Sequence, residues 1–324
     1  MVVVTGANGF IGSALVRLLN EKGRNDIVCV DPVDLKERPE PLRKAQYQNF
    51  FDPKSFLDWL LSLPKNQRPE IIFHLGAISS TTETDWEKLV ENNIEMPKTL
   101  FIYCHENSIP FIYASSGAVY GDGTSGFNDA TNTQTFSPLN LYGRSKRDFD
   151  VWALAQKNVP PRWAGLRFFN VYGPNEYHKG DMASVVYKAF LQIKASGKLR
   201  LFRSHNPKYK DGEQLRDFVY VKDITRWMLE IADMSQFDSG IYNLGYGKAR
   251  TWLSLAAAVF RQMNQPLNID WIEMPGHIRN QYQYFTEAVM ERAMAQKLSA
   301  PQYDLEAGVT DYVKNYLLAN DPYL

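Results

Sequence analysis

Apolar and polar positions follow two alternating periods along the first half of the chain. Residues 2–5 are a β-branched run, residues 10–22 carry apolar side chains at helical spacing up to Gly23, and 27–31 is again a short apolar run. This predicts strand, turn, helix and strand within 31 residues, the size of a βαβ unit. The rhythm repeats, with a helix over 53–63, a strand over 71–75 and one long helix over 85–107. A strand over 111–115, a helix over 141–157 and an apolar run over 163–169 follow. Strands alternating with helices predict an α/β fold whose parallel sheet is covered on both faces, and right-handed crossovers make it doubly wound. After about residue 170 the rhythm changes. Residues 181–195 read as a helix and 203–215 as a polar loop. Short strands at 218–221 and 241–244 flank a helix over 223–232, and 252–263, 269–272 and 305–316 complete the chain.

Composition narrows the function classes. Lys+Arg 36 balances Asp+Glu 36, so the formal net charge is zero. That excludes a nucleic-acid binder driven by bulk charge and leaves room for a local basic pocket that takes a small anion. The two cysteines, Cys29 and Cys104, fall in an apolar run and a helical pattern, and read as reduced packing residues. The five histidines show no metal-ligand spacing, so no metal site is expected. No apolar run approaches the ~20 residues of a membrane span. The opening Met-Val-Val-Val has neither a positive stretch nor a cleavage site, which points to the cytoplasm.

The candidate chemistry starts in the first turn. Thr5-Gly6-Ala7-Asn8-Gly9-Phe10-Ile11-Gly12 lies between a predicted strand and helix. Glycines there allow a tight turn, close backbone approach to a pyrophosphate and close helix–strand packing, and the helix start offers free N–H groups. Residues 1–170 are therefore expected to form a Rossmann-type dinucleotide-binding domain, with 217–246 returning to it. Residues 171–216 and 247–324 would make a smaller α+β substrate-binding domain. Asp31 closes the second strand, where a carboxylate accepts from the adenosine ribose and favours NAD. Lys36, Arg38, Lys44 and Lys54 follow and could meet a 2′-phosphate, so NAD and NADP both stay open on spacing alone. Further on, Tyr142 and Lys146 stand four apart in a predicted helix and share a face. A cation one turn away stabilises a phenolate, and such a pair takes a proton from an alcohol while hydride leaves its carbon. Ser116, at the end of the fifth predicted strand, can hydrogen-bond the same substrate oxygen.

These motifs together resemble the extended short-chain dehydrogenase/reductase family. TGANGFIG (5–12), HLGA (74–77), Asn92-Asn93, SSGAVYG (115–121), YGRSK (142–146) and RFFNVYGP (167–174) match its motifs in order. The dehydratase branch of that family has an Asp-Glu pair after the active-site hydroxyl. Gly117-Ala118 stands there, which argues against sugar dehydration. NVYGP (170–174) with HKGDMASV (178–185), Ser80-Thr81-Thr82, RDFVYV (216–221) and QYQYFT (281–286) is similar to the ADP-glyceromanno-heptose 6-epimerase branch. That resemblance implies an isomerase that inverts C6 of an ADP-linked heptose by transient hydride transfer, a step toward lipopolysaccharide precursors. Tyr142 and Lys179 would be its two acid/base groups, with Lys146 and Ser116 beside them. It further implies NADP, with NAD possible, held by Gly6, Gly9, Phe10, Ile11, Gly12, Asp31, Lys54, Leu75, Gly76, Ala77, Asn92, Tyr142 and Lys146. The nucleotide sugar would meet Ser79, Ser116, Asn170, Lys179, Lys188, Phe202, Arg216 and Tyr282, and the enzyme would be a homo-oligomer with neither nucleic-acid nor membrane partners. A UDP-hexose 4-epimerase or a reductase of the same family is the alternative, since that chemistry uses one acid/base tyrosine. A non-catalytic cofactor-binding sensor is a third reading, against which both Tyr142 and Lys146 weigh.

Overall fold

The computed structural model describes residues 1–34, 36, 40–279 and 282–324, with 277 and 278 described through their backbone. The opening valine run forms β1 (Val2–Thr5), which is buried throughout, and the glycine turn delivers the chain into α1 (Phe10–Glu21). Then come β2 (Ile27–Val30), β3 (Asn49–Phe51), α2 (Pro53–Ser62) and β4 (Ile71–His74). The long helix expected over 85–107 is α3 (Trp86–Val90), a π-helical turn (Glu91–Glu95) and α4 (Met96–Glu106). Pro97 sits in the first turn of α4 and offers no N–H, so the hydrogen-bond ladder widens just before it. β5 (Phe111–Ser116), α5 (Leu141–Leu154) and β6 (Trp163–Phe168) end this half.

The second half contributes β7 (Asn170–Tyr172), α6 (Val185–Ser196), β8 (Leu199–Phe202), β9 (Leu215–Arg216), β10 (Phe218–Tyr220) and α7 (Val221–Asp233). β11 (Gly240–Leu244), β12 (Arg250–Thr251), α8 (Trp252–Gln262) and β13 (Ile269–Ile272) follow. Two expected helices have shorter α-helical cores. Residues 177–182 form a 3-10 segment broken at Gly180, and α6 begins only after Ser184, whose hydroxyl accepts the Tyr187 N–H. The helix expected over 305–316 is α-helical over Leu305–Tyr312 and closes in a π-helical turn, Val313–Leu317.

Among the described residues, seven strands form one sheet in the order β11-β6-β5-β4-β1-β2-β3, every neighbouring pair parallel. This is the doubly wound sheet that the alternation predicts. One face is covered by α1 and α7 through Leu15, Leu19, Trp227 and Ile231; the other by α2, α4 and α5 through Phe56, Leu60, Leu100, Phe101 and Phe149. Strand order reverses between β1 and β4, which opens a crevice at their carboxyl ends, where ligands bind in such folds. A second core packs α6, α8 and the helix Leu305–Tyr312 around Phe190, Val259 and Val309. Among the described residues, no helix is long and apolar enough to cross a membrane, and no three His, Cys, Asp or Glu side chains group as a metal site. Cys29 and Cys104 are buried and free.

Candidate active site

The cradle over β1 is made by close backbone approach. Gly6 has φ +65°, and a Cβ there would lie 2.6 Å from the Gly76 nitrogen. A Cβ on Gly12 would run into the Gly6 carbonyl. The Gly9 N–H donates to the Gly6 carbonyl at 3.0 Å, and α1 starts at Phe10 with no side-chain cap and no acidic residue in its first turn. Its amino end therefore presents N–H groups and a positive dipole end to the cleft, which suits a pyrophosphate. Asp31 fixes the far side, accepting the Asn8 N–H at 3.1 Å and the Val33 N–H at 3.3 Å. Gly6, Gly9, Phe10, Ile11, Gly12, Asp31, Leu75, Gly76, Ala77 and Asn92 all line one cleft of about 840 Å³. Lys54 does not, though its neighbour Pro53 does. Lys44 is engaged elsewhere, with Asp321 at 2.7 Å and the Tyr323 carbonyl at 2.7 Å, whereas Lys36 is exposed. Arg38 and Gln281 lie outside the described residues.

The same cleft takes in Ser116, Tyr142 and Lys146. The Asn140 side chain caps α5 by accepting the Gly143 N–H at 2.8 Å. A Cβ on Gly143 would sit 2.8 Å from the Ala118 carbonyl, so glycine lets the helix seat on the turn that carries Ser116. The Tyr142 phenol stands by Ser116: burial pushes its pKa up and the Ser116 hydroxyl pulls it down. Lys146 donates to the Ala114 carbonyl at 3.0 Å. Desolvation pushes its amine down to about 8, against the opposing charge of Asp150.

Sequence reasoning missed what stands behind this pair. Asp150 is fully buried and accepts from the Tyr113 hydroxyl at 3.0 Å, the Ser115 hydroxyl at 2.9 Å and the Arg167 guanidinium at 3.0 Å. Arg167 also donates to Tyr120 at 3.0 Å and Thr133 at 2.9 Å. The signal was present, since 142, 146 and 150 fall on one helical face. Asn93 was quoted in a motif without a role. It exchanges two hydrogen bonds with the Ile78 backbone, both at 2.9 Å, and donates to Ser145 at 3.0 Å, tying the Ser79 segment to α5.

Lys179 enters the cleft from the 3-10 segment Tyr177–Met182, together with Ser79 and Asn170. Its ammonium stands 5.3 Å from the centre of the Phe10 ring, at the mouth of the glycine cradle. Burial pushes its pKa down; Glu176 raises it and Lys188 lowers it. The structure does not bring the other expected residues into the lining. Lys188 donates to the Asp181 carbonyl at 2.5 Å, and Phe202 ends β8, half-buried. Arg216 is buried behind Trp252 and Gln283, which do line the cleft. Its guanidinium lies 5.7 Å from the Trp252 ring centre and 5.0 Å from that of Tyr282, and donates to the carbonyls of Leu215 and Gln283. The Tyr282 hydroxyl accepts from the Trp252 indole at 2.8 Å.

With this geometry in hand, comparison with known proteins is specific. The family described as the NAD dependent epimerase/dehydratase family matches residues 2–245. An ADP-L-glycero-D-manno-heptose-6-epimerase of Fusobacterium nucleatum is 45% identical over 100% of both chains. The crystal structure of the Helicobacter pylori ADP-L-glycero-D-manno-heptose-6-epimerase superposes with a TM-score of 0.80 at 28% identity, covering 97% of this chain and 95% of that one. MoeE5 in complex with UDP-glucuronic acid and NAD superposes with a TM-score of 0.74 at 26% identity, covering 95% and 96%. A nicotinamide cofactor fits the uncapped helix start and the glycine cradle, which any Cβ on Gly6 or Gly12 would fill. The chain belongs to the NAD dependent epimerase/dehydratase family.

Proposed function

We propose that the protein is an epimerase that inverts C6 of the heptose in ADP-D-glycero-D-manno-heptose, giving the L-glycero form. The observation that carries this reading is that Tyr142, Lys146, Ser116 and Lys179 line one cleft with the glycine cradle. The similarity to heptose epimerases along the whole chain supports the substrate. The nicotinamide, when bound, supplies the chemistry of taking a hydride from the sugar carbon and giving it back.

The chain's own groups move the protons. Tyr142, its phenolate favoured by the Lys146 cation and the Ser116 hydroxyl, accepts the proton of the C6 hydroxyl as that carbon is oxidised to a ketone. Ser116 holds the same oxygen. The ketone then presents its other face, and Lys179, on a separate segment, donates a proton to the oxygen as the carbon is reduced. The two groups exchange roles in the reverse direction, and no net redox change occurs. Placement of two proton-transfer groups against one carbon supplies most of the rate.

NADP is the proposed cofactor form, supported by exposed Lys36 beside the Asp31 turn; NAD is the competing one. Arg216, Tyr282, Lys188 and Phe202 are proposed to meet the nucleotide side of the substrate. The return of β11 to β6 and the separate core under α6 and α8 support residues 1–170 with 217–246 as the cofactor half. A homo-oligomer in the cytoplasm completes the reading, the latter supported by two free buried cysteines.

The test mixes purified protein with ADP-D-glycero-D-manno-heptose, adding neither cofactor nor reductant, and follows the C6 proton by NMR. Appearance of the L-glycero epimer up to an equilibrium mixture is expected. No change, with cofactor verified in the protein, would remove the heptose assignment, and turnover of a UDP-hexose instead would establish the 4-epimerase alternative.

A further inference from the structure

The segment that carries Lys179 spans 173–184, and one buried side chain closes it. Glu176 is fully buried. Its Oε1 accepts the Gly173 N–H at 3.3 Å and the Ser184 hydroxyl at 2.7 Å, and its Oε2 accepts the Ser184 N–H at 2.5 Å. The Tyr312 phenol, from the helix Leu305–Tyr312, faces the same carboxylate, whose charge helps hold its pKa well above the ordinary value. Gly173 and Ser184 are the two ends of the segment, so Glu176 joins them. The Glu176 carbonyl also accepts the Lys179 N–H at 3.0 Å, which forms the turn that sets the lysine over Phe10.

Every donor to this carboxylate is neutral. Among the described residues, no ion pair within 4.0 Å joins Glu176 to a cation or Lys179 to a carboxylate. A buried carboxylate and a half-buried amine three residues apart are thus held out of direct contact. The distinction matters for a group that must both give and take a proton. A direct ion pair would occupy the amine and tether it away from the cleft. A carboxylate out of contact still acts through the field in a poorly screened interior, and leaves the nitrogen free to meet substrate.

We propose that Glu176 is the positioning residue of Lys179, fixing segment 173–184 through its hydrogen bonds and favouring the ammonium form of Lys179 through its charge. This rests on the reading of Lys179 as the second acid/base group. The surrounding charges agree with it. Burial lowers the Lys179 pKa, the Glu176 charge raises it, and Lys188 on α6 lowers it. The titratable groups facing Glu176 are Tyr177 and Lys179 on its own segment, Tyr187 on α6 and Tyr312. Burial pushes the Glu176 carboxyl up, and the Ser184 and Gly173 donors hold it down.

Charge and geometry separate experimentally in the holoenzyme. Glu176→Gln removes the charge, whereas Ser184→Ala and Glu176→Asp keep it and loosen the clasp. The pH profile of kcat/KM reports the free enzyme's acid and base. In Glu176→Gln the limb belonging to Lys179 is expected to move to lower pH, because a lysine that loses a neighbouring negative charge gives up its proton more readily. In Ser184→Ala and Glu176→Asp, kcat is expected to fall with both limbs unmoved. A Glu176→Gln profile with both limbs in place, while Lys179→Met is inactive, would overturn the proposal and leave the role of Lys179 standing. Full activity of Lys179→Met would instead remove the reading of Lys179 itself. If Glu176→Gln fails to fold, the two charge-keeping variants decide, since a moved limb or an undiminished kcat in either contradicts the proposal.

Discussion

Replacing Gly6 by alanine tests whether close backbone approach, rather than a flexible turn, makes the cofactor cradle. Two costs follow from the structure. Gly6 holds φ +65°, where a Cβ costs about 1–2 kcal/mol. The new Cβ would also lie 2.6 Å from the Gly76 nitrogen, 2.7 Å from the Leu75 carbonyl carbon and 2.8 Å from the Gly76 Cα, against 3.4–4 Å for ordinary contact. These are backbone atoms pinned by the β1–β4 ladder and by the Gly76 N–H donating to Thr5 at 3.1 Å, so relief must come from parting the two strands. Overpacking of that kind costs a further ~1–3 kcal/mol. Gly23→Ala is the control, because φ there is +79° and its Cβ meets nothing within 4 Å. Urea unfolding should therefore show Gly6→Ala losing about 2–5 kcal/mol and Gly23→Ala only about 1–2. Because Leu75 and Gly76 are themselves cleft walls, retained cofactor should drop sharply in Gly6→Ala alone, and turnover by about 100-fold for a displacement near 1 Å. Equal stability losses in the two variants, with cofactor held normally in both, would refute the close-approach argument.

Four further outcomes follow from the site. Tyr142→Phe should lower kcat by about 10²–10⁴-fold with cofactor content unchanged; loss of the cofactor instead would make Tyr142 a binding group. Turnover should fall as pH rises through about 8, where Lys146 gives up the charge that steadies the Tyr142 phenolate, and Lys146→Arg should carry that decline to higher pH; a profile flat beyond pH 8 would contradict this. The same depressed value has a stability sign: folded Lys146 releases its proton before the unfolded lysine does, so its burial penalty, full below about pH 8, fades as pH rises toward the ordinary 10.5, and Lys146→Met should gain most over the parent below pH 8. Asp150→Asn should cost ~3–5 kcal/mol in urea unfolding by stranding the Arg167 charge, and adding Arg167→Met should recover part of it.

What was legible in the chain was local. β1, β2, β4, β5 and β6 announce themselves because both faces of a parallel strand are buried, so each is a mainly apolar run, broken in β6 by Arg167. The glycine cradle is legible because its three glycines follow β1 at once, and the shared face of Tyr142 and Lys146 because helical geometry converts a spacing of four into adjacency. β3 escaped notice because it is three residues long and half-exposed at the sheet edge. The start of α6 was set four residues early, since nothing in the local pattern says that Ser184 is both its cap and a partner of Glu176. The contact between Lys179 and Phe10 is formed across most of the first domain, and no spacing rule reaches that far. Asp150 was placed on the right face by its number, yet its meaning depends on Arg167 arriving from β6.

The two amines in the cleft share one electrostatic arrangement, and its differences have consequences. Lys146 and Lys179 are each lowered by burial and each raised by one carboxylate, Asp150 and Glu176, with neither pair in contact among the described residues. Asp150 is also bonded to the Arg167 guanidinium, so part of its charge is already neutralised where Lys146 sits. Glu176 is bonded to neutral donors alone, so its field reaches Lys179 undiminished, though Lys188 opposes it. An amine whose supporting carboxylate is neutralised gives up its charge more easily. Lys146 can act by steadying a phenolate without transferring its own proton, which tolerates a weak support. On the proposed mechanism Lys179 has no phenol to work through, and would itself hold a proton until the ketone oxygen takes it. The carboxylate not shared with a cation therefore stands beside the amine whose proton the proposed reaction uses directly.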